Sequence, residues 1–580
     1  MYEGGQPSTT STRGCAILAA AGLLVLVAAF PASAGAQRIK PGTKVERTVR
    51  SSAPDRRLVK ESFVRVYAPL PSSAGPHPKA CDWVGYLRFR SAHGPRRASR
   101  ADAVYVIIPG FLGGAGSFDQ LARNTVRDAA ARRRHVEFWA LDRRSNCLED
   151  HRGVSAAARA RDPSVGYGYY WGGRPVRGKR FPGWVSQDDA AWLRHVGLEQ
   201  TLRDWYAVLK AGIPSRRVRS RKVFCGGHSM GGPITAAFAG WDFDGNTRTR
   251  GDVGWRQCAG FVGLDTRLSV SPSSSSPASP SGVLLATTLA SDSPYVNSPP
   301  IVPETIQLPP IFGVGSYYRP QATDLLRELP HSQNIDLAQR FLFSRDAVHF
   351  ATQIPNIRDF TLTNQVTLAG VFDDNSAPLF FLRSSLGFLT GGPLTDKNFP
   401  QPDETLALPK DPRSPLYSWQ NYNQVGAGAA PIPLNDEGRP YTSREGEVSD
   451  IRQFARTTFE APADFIEQYF PTKLLRDLQN AGNGDRSGEL SHLKYDGVAK
   501  RAALIVRAGD SANNSAPDTG PPVAGPPPNG RPLSRSITIP GYNHLDVLTA
   551  ARRQNDGRAE PSAKTVASFA IAVLRRIARR

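Results

Sequence analysis

Apolar side chains recur along this chain with two alternating periods, and the switch between them lays out most of its elements. Ser62-Phe-Val-Arg-Val-Tyr67 and Trp83-Val-Gly-Tyr-Leu-Arg-Phe89 alternate apolar and polar positions, the pattern of half-buried strands. Val104-Tyr-Val-Ile-Ile108 is an unbroken β-branched and aromatic run stopped by Pro109-Gly110. Such a run predicts a strand covered on both faces. Residues 118–134 read as a helix and 136–141 as the next strand. In 189–211, Trp192, Val196, Leu202, Trp205 and Leu209 fall along one side of a helix. A strand at 222–225, a helix to about residue 239 and a strand at 261–264 follow.

The rhythm then stops. Residues 269–282 are nearly all Ser and Pro, and from there to about 495 there are helical patches and Pro-rich turns without β/α alternation. Alternation resumes with a strand at 502–506, a Pro/Gly/Asn-rich loop over 511–530, a strand at 536–539 and a helix at 562–578. Strands alternating with helices predict an α/β fold, a mostly parallel sheet with helices on both faces. The chain divides into a leader at 1–34, an extension at 35–61, a core at 62–265 and 496–580, and an insertion at 266–495. The polar, basic stretch 37–60 reads as a surface extension.

Composition adds a compartment. Arg13 precedes an apolar run from Cys15 to Phe30, and small residues follow at Ala32-Ser-Ala34. That reads as a secretory signal peptide, which implies a secreted protein, extracellular or periplasmic. The run falls short of the roughly 20 residues a comfortable membrane span requires. Four cysteines remain after the leader, Cys81, Cys147, Cys225 and Cys258, in no zinc-ligand spacing. The net charge of +21 comes from arginines scattered through every region. It predicts weak attraction to anionic surfaces; no nucleic-acid-binding signature accompanies it.

The candidate chemistry centres on Lys222-Val-Phe-Cys-Gly-Gly-His-Ser-Met-Gly-Gly-Pro233. Gly227-His-Ser-Met-Gly231 fits G-x-S-x-G between a strand and a helix. A sharp turn there strains the serine backbone, needs small neighbours, and lifts the hydroxyl to the sheet edge. Ser229 is therefore the candidate nucleophile. It needs a base. His544, in Pro540-Gly-Tyr-Asn-His-Leu-Asp546 after the last strand, is the candidate on chain order Ser…Asp…His. Two acids end strands: Asp510 in Arg507-Ala-Gly-Asp510 and Asp265 in Gly263-Leu-Asp265. Chain order and strand position favour Asp510, with Asp265 the alternative. The oxyanion hole is expected from the backbone N–H of Met230 and that of Phe111, with Leu112 second, in Pro109-Gly-Phe-Leu-Gly-Gly114. That turn lacks the Gly-Lys-Ser/Thr ending of a P-loop. Asp242-Phe-Asp-Gly-Asn246 starts like a calcium loop, but position twelve is Val253, which excludes an EF-hand. The aromatic cluster at Tyr167, Tyr169, Tyr170, Trp171, Phe181 and Trp184 reads either as packing beneath a long loop or as a site lining.

Pro109-Gly-Phe, Gly227-His-Ser-Met-Gly, Gly509-Asp510 and Asn543-His544 make the chain resemble the α/β-hydrolase superfamily over about 62–265 and 496–580. Trp139-Ala-Leu-Asp-Arg-Arg-Ser-Asn146 after the fourth strand is similar to a group of secreted bacterial hydrolases. The resemblance implies an eight-stranded sheet with its second strand antiparallel, a Ser-Asp-His triad, and a cap inserted after the sixth strand. In that sheet Cys81 and Cys147 meet at one edge of antiparallel neighbours and are expected to form a disulfide. Cys225 and Cys258 would lie in parallel neighbours at different heights, as free thiols.

The resulting expectation is a serine hydrolase, esterase- or lipase-like, that cleaves a small-molecule or polymeric carboxylic ester through an acyl-enzyme. No metal or organic cofactor is called for. Acyltransferase, thioesterase and peptidase chemistry are alternatives on the same triad, and a catalytically silent binding fold is the alternative outside enzymes. The insertion leaves the core at the edge where open α/β sheets bind ligands. It is expected to cover Ser229 and shape its pocket, with 378–382 and 386–389 as lining or as the cap's own core.

Overall fold

The computed structural model describes residues 39–270, 280–401, 405–425, 431–460, 462–511 and 533–579. The leader, the centre of the Ser/Pro-rich stretch and most of the 511–530 loop lie outside the described residues. Among the described residues no helix is long and apolar enough to cross a membrane.

A nine-stranded sheet forms the core. Its strands are β1 (Lys44–Thr48), β2 (Val59–Tyr67), β3 (Trp83–Ser91), β4 (Ala103–Ile108), β5 (Val136–Leu141), β6 (Val223–His228) and β7 (Gly260–Leu264). The insertion holds two antiparallel pairs, β8 (Gly387–Thr390) with β11 (Ser418–Asn421), and β9 (Leu394–Lys397) with β10 (Leu406–Pro409). The sheet closes with β12 (Ala502–Ala508) and β13 (Ser534–Ile539). Its order is β1-β2-β3-β5-β4-β6-β7-β12-β13. β3 runs antiparallel to both β2 and β5, and every pairing from β5 to β13 is parallel. Eight of these strands have the order and sense that the resemblance implies.

The ninth strand departs from the expectation of a plain surface extension. Lys44-Val-Glu-Arg-Thr48 is exposed at all five positions and pairs antiparallel with β2. A strand with no buried face leaves no hydrophobic period to read. Burial across the sheet explains the rest: β4, β5 and β6 are buried at every residue, whereas β2 and β12 alternate. The C-terminal helix Pro561–Ala578 docks on the sheet through Val566 and Phe569, and the Tyr105 hydroxyl donates to the Val566 carbonyl at 2.5 Å.

The insertion is joined to the core by buried polar contacts as well as apolar packing. Arg456, on the helix Ile451–Phe459, pairs with Asp119 on the core helix Asp119–Ala131. Asp119 also binds Arg123, which pairs in turn with Asp55 and Glu61. Ion pairs this deep are destabilising when one partner is removed, so they fix how the insertion sits on the core.

Two disulfides are present. Cys81–Cys147 joins the entry of β3 to the segment after β5, as expected from antiparallel neighbours, with Cα atoms 5.1 Å apart. Cys225–Cys258 corrects the expectation of free thiols; its Cα atoms are 5.9 Å apart. The expected sheet order nevertheless holds. Cys258 precedes β7, in a turn whose next residue donates Ala259 N–H to the Val223 carbonyl at 2.6 Å. The chain therefore crosses the foot of β6 before it straightens, which brings Cys258 to the height of Cys225. Peptide mapping without reduction should recover both pairs. Replacing either pair by serines should lower stability by about 2–5 kcal/mol, read by chemical denaturation.

Candidate active site

Ser229 sits between β6 and the helix Gly231–Gly240 at φ 54°. The left-handed region is costly for a residue with a Cβ, and the surroundings impose it. Ser229 N–H donates to the Leu264 carbonyl at 3.0 Å, and Gly232 N–H donates to the Ser229 carbonyl at 2.9 Å. The Thr266 hydroxyl donates to that same carbonyl at 2.5 Å. A Cβ on Gly227 would collide with the Gly231 carbonyl, so the turn admits no side chain there. Ser229 and Met230 are half-buried, which leaves the hydroxyl at an accessible edge.

His544 is 2% exposed and Asp265 1% exposed. His544 Nδ1 lies 2.6 Å from Asp265 Oδ2. Asp265 Oδ1 accepts the Ala508 N–H at 3.0 Å, and Ser511 also hydrogen-bonds the carboxylate. Burial alone would raise the carboxyl; the hydrogen bonds and the charge of His544 outweigh it and hold Asp265 below the usual carboxylate range. The imidazole thus faces an ionised acid that cannot turn away.

The residue that meets His544 is thus Asp265, the alternative acid, and not the preferred Asp510. Asp510 is exposed and makes no contact with the His544 ring among the described residues. Its backbone N–H donates to the Tyr542 carbonyl at 3.0 Å, and its carboxylate accepts Gly541 N–H at 3.4 Å. It shapes the loop that carries His544. The reason is reach: β7 is the neighbour of β6, while β12 is one strand further and offers Ala508 N–H to Asp265 instead.

The turn after β4 abuts the serine. A Cβ on Gly110 would lie 2.6 Å from Ser229 Cβ and 3.2 Å from Ser229 Oγ. Gly113 N–H donates to the Gly110 carbonyl at 3.2 Å, which closes a turn over Phe111 and Leu112, with Leu112 at φ 54°. Among the described residues, neither Phe111 nor Met230 donates its N–H to a backbone carbonyl. Arg143 holds the turn. Its guanidinium donates to the carbonyls of Pro109 at 2.6 Å, Gly110 at 2.7 Å and Gly113 at 2.8 Å, and to Glu467 Oε2 at 2.7 Å. Glu467 N–H donates to the Leu112 carbonyl at 2.7 Å. Arg143 belongs to the Trp139–Asn146 run singled out in the sequence, but its task depends on a fold that brings Glu467 across 324 residues.

His228 is the other residue that sequence reasoning left without a role. Its Nε2–H donates to the His544 carbonyl at 3.0 Å, and the two rings lie 4.5 Å apart. Burial, then the adjacent His544, pushes its pKa down to about 3. On the other side, Asp546 accepts from Ser384 Oγ, Ser385 N, Ser385 Oγ and Ser449 Oγ at 2.8–2.9 Å, all from the insertion. The loop of His544 is therefore braced from both the core and the insertion.

Apolar rings gather near His544. Phe111 lies 5.9 Å from Phe381 and 5.2 Å from Phe470, and Phe380 lies 6.2 Å from the His544 ring. Phe111, Phe380 and Phe381 are half-buried, whereas Leu386, Phe388 and Leu389 are within the core. Of the two apolar segments of the insertion, 386–389 packs in the core, and 378–382 is buried at Pro378 and Leu379 and half-buried at Phe380, Phe381 and Leu382. The Tyr167–Trp184 aromatic cluster is a chain of edge contacts among its own rings, with Tyr169 and Tyr170 both against Phe181.

No protein-family model and no curated protein sequence matches the chain. Among solved structures, it is similar to a peroxisomal α/β-hydrolase of Saccharomyces cerevisiae, at 10% identity and TM-score 0.29, over 93% of this chain and 90% of that one. It is similar to potato (Solanum tuberosum) epoxide hydrolase I at 11% identity and TM-score 0.28, over 93% and 100%. A soluble variant of monoglyceride lipase from Saccharomyces cerevisiae gives 11% identity and TM-score 0.28, over 85% and 92%. At these values none of them bears on activity.

One consequence of the His228 contact is measurable. The folded chain keeps His228 neutral down to about pH 3, whereas the unfolded chain protonates it near its ordinary value of 6.5. Between those values the unfolded state binds more protons, so this group's contribution to stability falls as pH drops from about 6.5 toward 3. In His228→Gln, which keeps an N–H donor and removes the titration, melting temperature should fall less steeply with acidification over that window.

Proposed function

We infer that the chain is an α/β-hydrolase that cleaves carboxylic esters through an acyl-enzyme on Ser229. Ser229 Oγ attacks the ester carbonyl as His544 takes its proton. Asp265 keeps the proton of His544 on Nδ1 and stabilises the imidazolium. The N–H groups of Met230 and Phe111 receive the oxyanion. His544 then returns the proton to the leaving alkoxide, and a water, deprotonated by His544, releases the acid. The observation that carries this reading is the 2.6 Å contact of His544 Nδ1 with the buried Asp265, with Ser229 held at a positive-φ elbow on the adjacent strand.

Half-buried rings of Phe111, Phe380 and Phe381 beside His544 favour an uncharged, apolar acyl or alkoxy group. Two disulfides suit an oxidising compartment, in line with export.

Turnover of a p-nitrophenyl ester series tests the assignment. Ser229→Ala should fall to background with an unchanged melting curve. Asp265→Asn should lose several orders of magnitude in kcat, because the wrong tautomer of His544 is favoured, and Asp510→Asn should stay within about tenfold of the parent, since it touches only the loop. The reverse order would place the acid at Asp510. Phe381→Ala should weaken long or aromatic acyl chains more than acetyl, seen as a rise in KM with little change in kcat. Equal effects across the series would remove Phe381 from the pocket.

A further inference from the structure

Three segments meet behind the oxyanion turn. Gly114 N–H donates to the Phe465 carbonyl at 3.0 Å and Gly116 N–H to the Asp464 carbonyl at 2.9 Å. Gln468 N–H donates to Glu149 Oε1 at 2.8 Å. At this junction Glu149, His151 and Asp464 bring one ligand atom each within 4.8 Å of one another. His151 Nε2 lies 2.6 Å from Asp464 Oδ2 and 3.6 Å from Glu149 Oε2.

Two features single this cluster out. The Glu149 side chain is 1% exposed, and its Oε2 accepts no hydrogen bond. A buried carboxylate oxygen without a donor is costly unless a cation meets it. The neighbourhood also carries surplus acid. Asp142 and Asp464 are buried alongside, as is Glu467. Arg143 is committed to Glu467 and the oxyanion turn.

We propose that Glu149, His151 and Asp464 bind one divalent transition-metal ion of the zinc class. One imidazole and two carboxylates suit Zn2+ or Co2+ better than Ca2+, which takes oxygen ligands throughout. Metal–ligand bonds of about 2.0–2.2 Å separate tetrahedral ligand atoms by about 3.5 Å. The ion therefore replaces the close His151–Asp464 contact, and the proton shared there leaves to solvent. His151, with its side chain 33% exposed, gives the entry path and leaves room for a water as fourth ligand. The ion is not part of the triad. It pins loop 462–468, which carries Glu467, to the segment after β5, and so stiffens the turn that presents Phe111. Two other acid groups, Asp242 with Asp244 and Asp252, and Asp373 with Asp374 and Glu447, contain no histidine and, among the described residues, no orphaned buried oxygen.

The test is Co2+ titration of the chelator-treated full chain, followed by displacement with Zn2+. One equivalent of Co2+ with visible d–d absorption, displaced by one equivalent of Zn2+, is expected. Glu149→Gln and Asp464→Asn should each weaken binding at least about tenfold, and Asp244→Asn and Asp373→Asn should not. A second readout needs no variant: saturating Zn2+ should protect His151 of the parent chain from diethylpyrocarbonate, mapped by mass spectrometry. His331, with its side chain 73% exposed, should stay reactive. Binding well below one equivalent, undiminished binding in Glu149→Gln and Asp464→Asn, or equal modification of His151 with and without Zn2+ would overturn the proposal.

Discussion

Three parallel strands end side by side, and the hydrogen bonds between their ends place the chemistry. Ser229 N–H reaches across from β6 to the Leu264 carbonyl at 3.0 Å, and Asp265 N–H reaches from β7 to the Val506 carbonyl at 2.6 Å. Both residues stand at positive φ, 54° and 43°. Each strand thus bends its last residue out of the sheet while its backbone stays tied to the next strand. Strain of this kind persists only where the surroundings over-determine it. Here they do so through the ladder, through the Gly227–Gly231 approach, and through the Ala508 N–H on Asp265. The serine and the acid are consequently fixed to the sheet, and only His544 comes from a loop.

That loop is where the insertion matters. Asp546, two residues after His544, is held by Ser384, Ser385 and Ser449, while His228 holds the His544 carbonyl from the core. The same insertion supplies Glu467 to the turn after β4 through Arg143 and the rings of Phe380 and Phe381 near His544. The insertion thus braces both the His544 loop and the turn after β4. Excising it would remove these contacts together with any pocket, so its contribution to selectivity is better read from single substitutions.

The core was legible because β4, β5 and β6 are buried at every residue, β12 alternates, and the helix Leu198–Gly212 buries one side. The elbow at Ser229 was legible because such a turn needs a local sequence, and the place of His544 because it follows the last strand. What escaped the sequence depends on register and on distant partners. β1 has no buried face, so no period betrays it. Asp265 and Asp510 both end strands, and only the strand order tells which faces His544. The Cys225–Cys258 bridge depends on the path of the turn before β7. Arg143 was visible as part of a distinctive run, but its grip on three carbonyls of one turn exists only in the folded chain.

The central claim is that one serine on this chain is a nucleophile activated by its surroundings. Incubating the intact parent protein with a fluorophosphonate, then measuring whole-protein mass and mapping the modified peptide, tests it without any assumption about substrate. A single phosphonyl group is expected, on Ser229, with no adduct on protein unfolded beforehand. No adduct on the folded chain, or an adduct on a different residue, would contradict it.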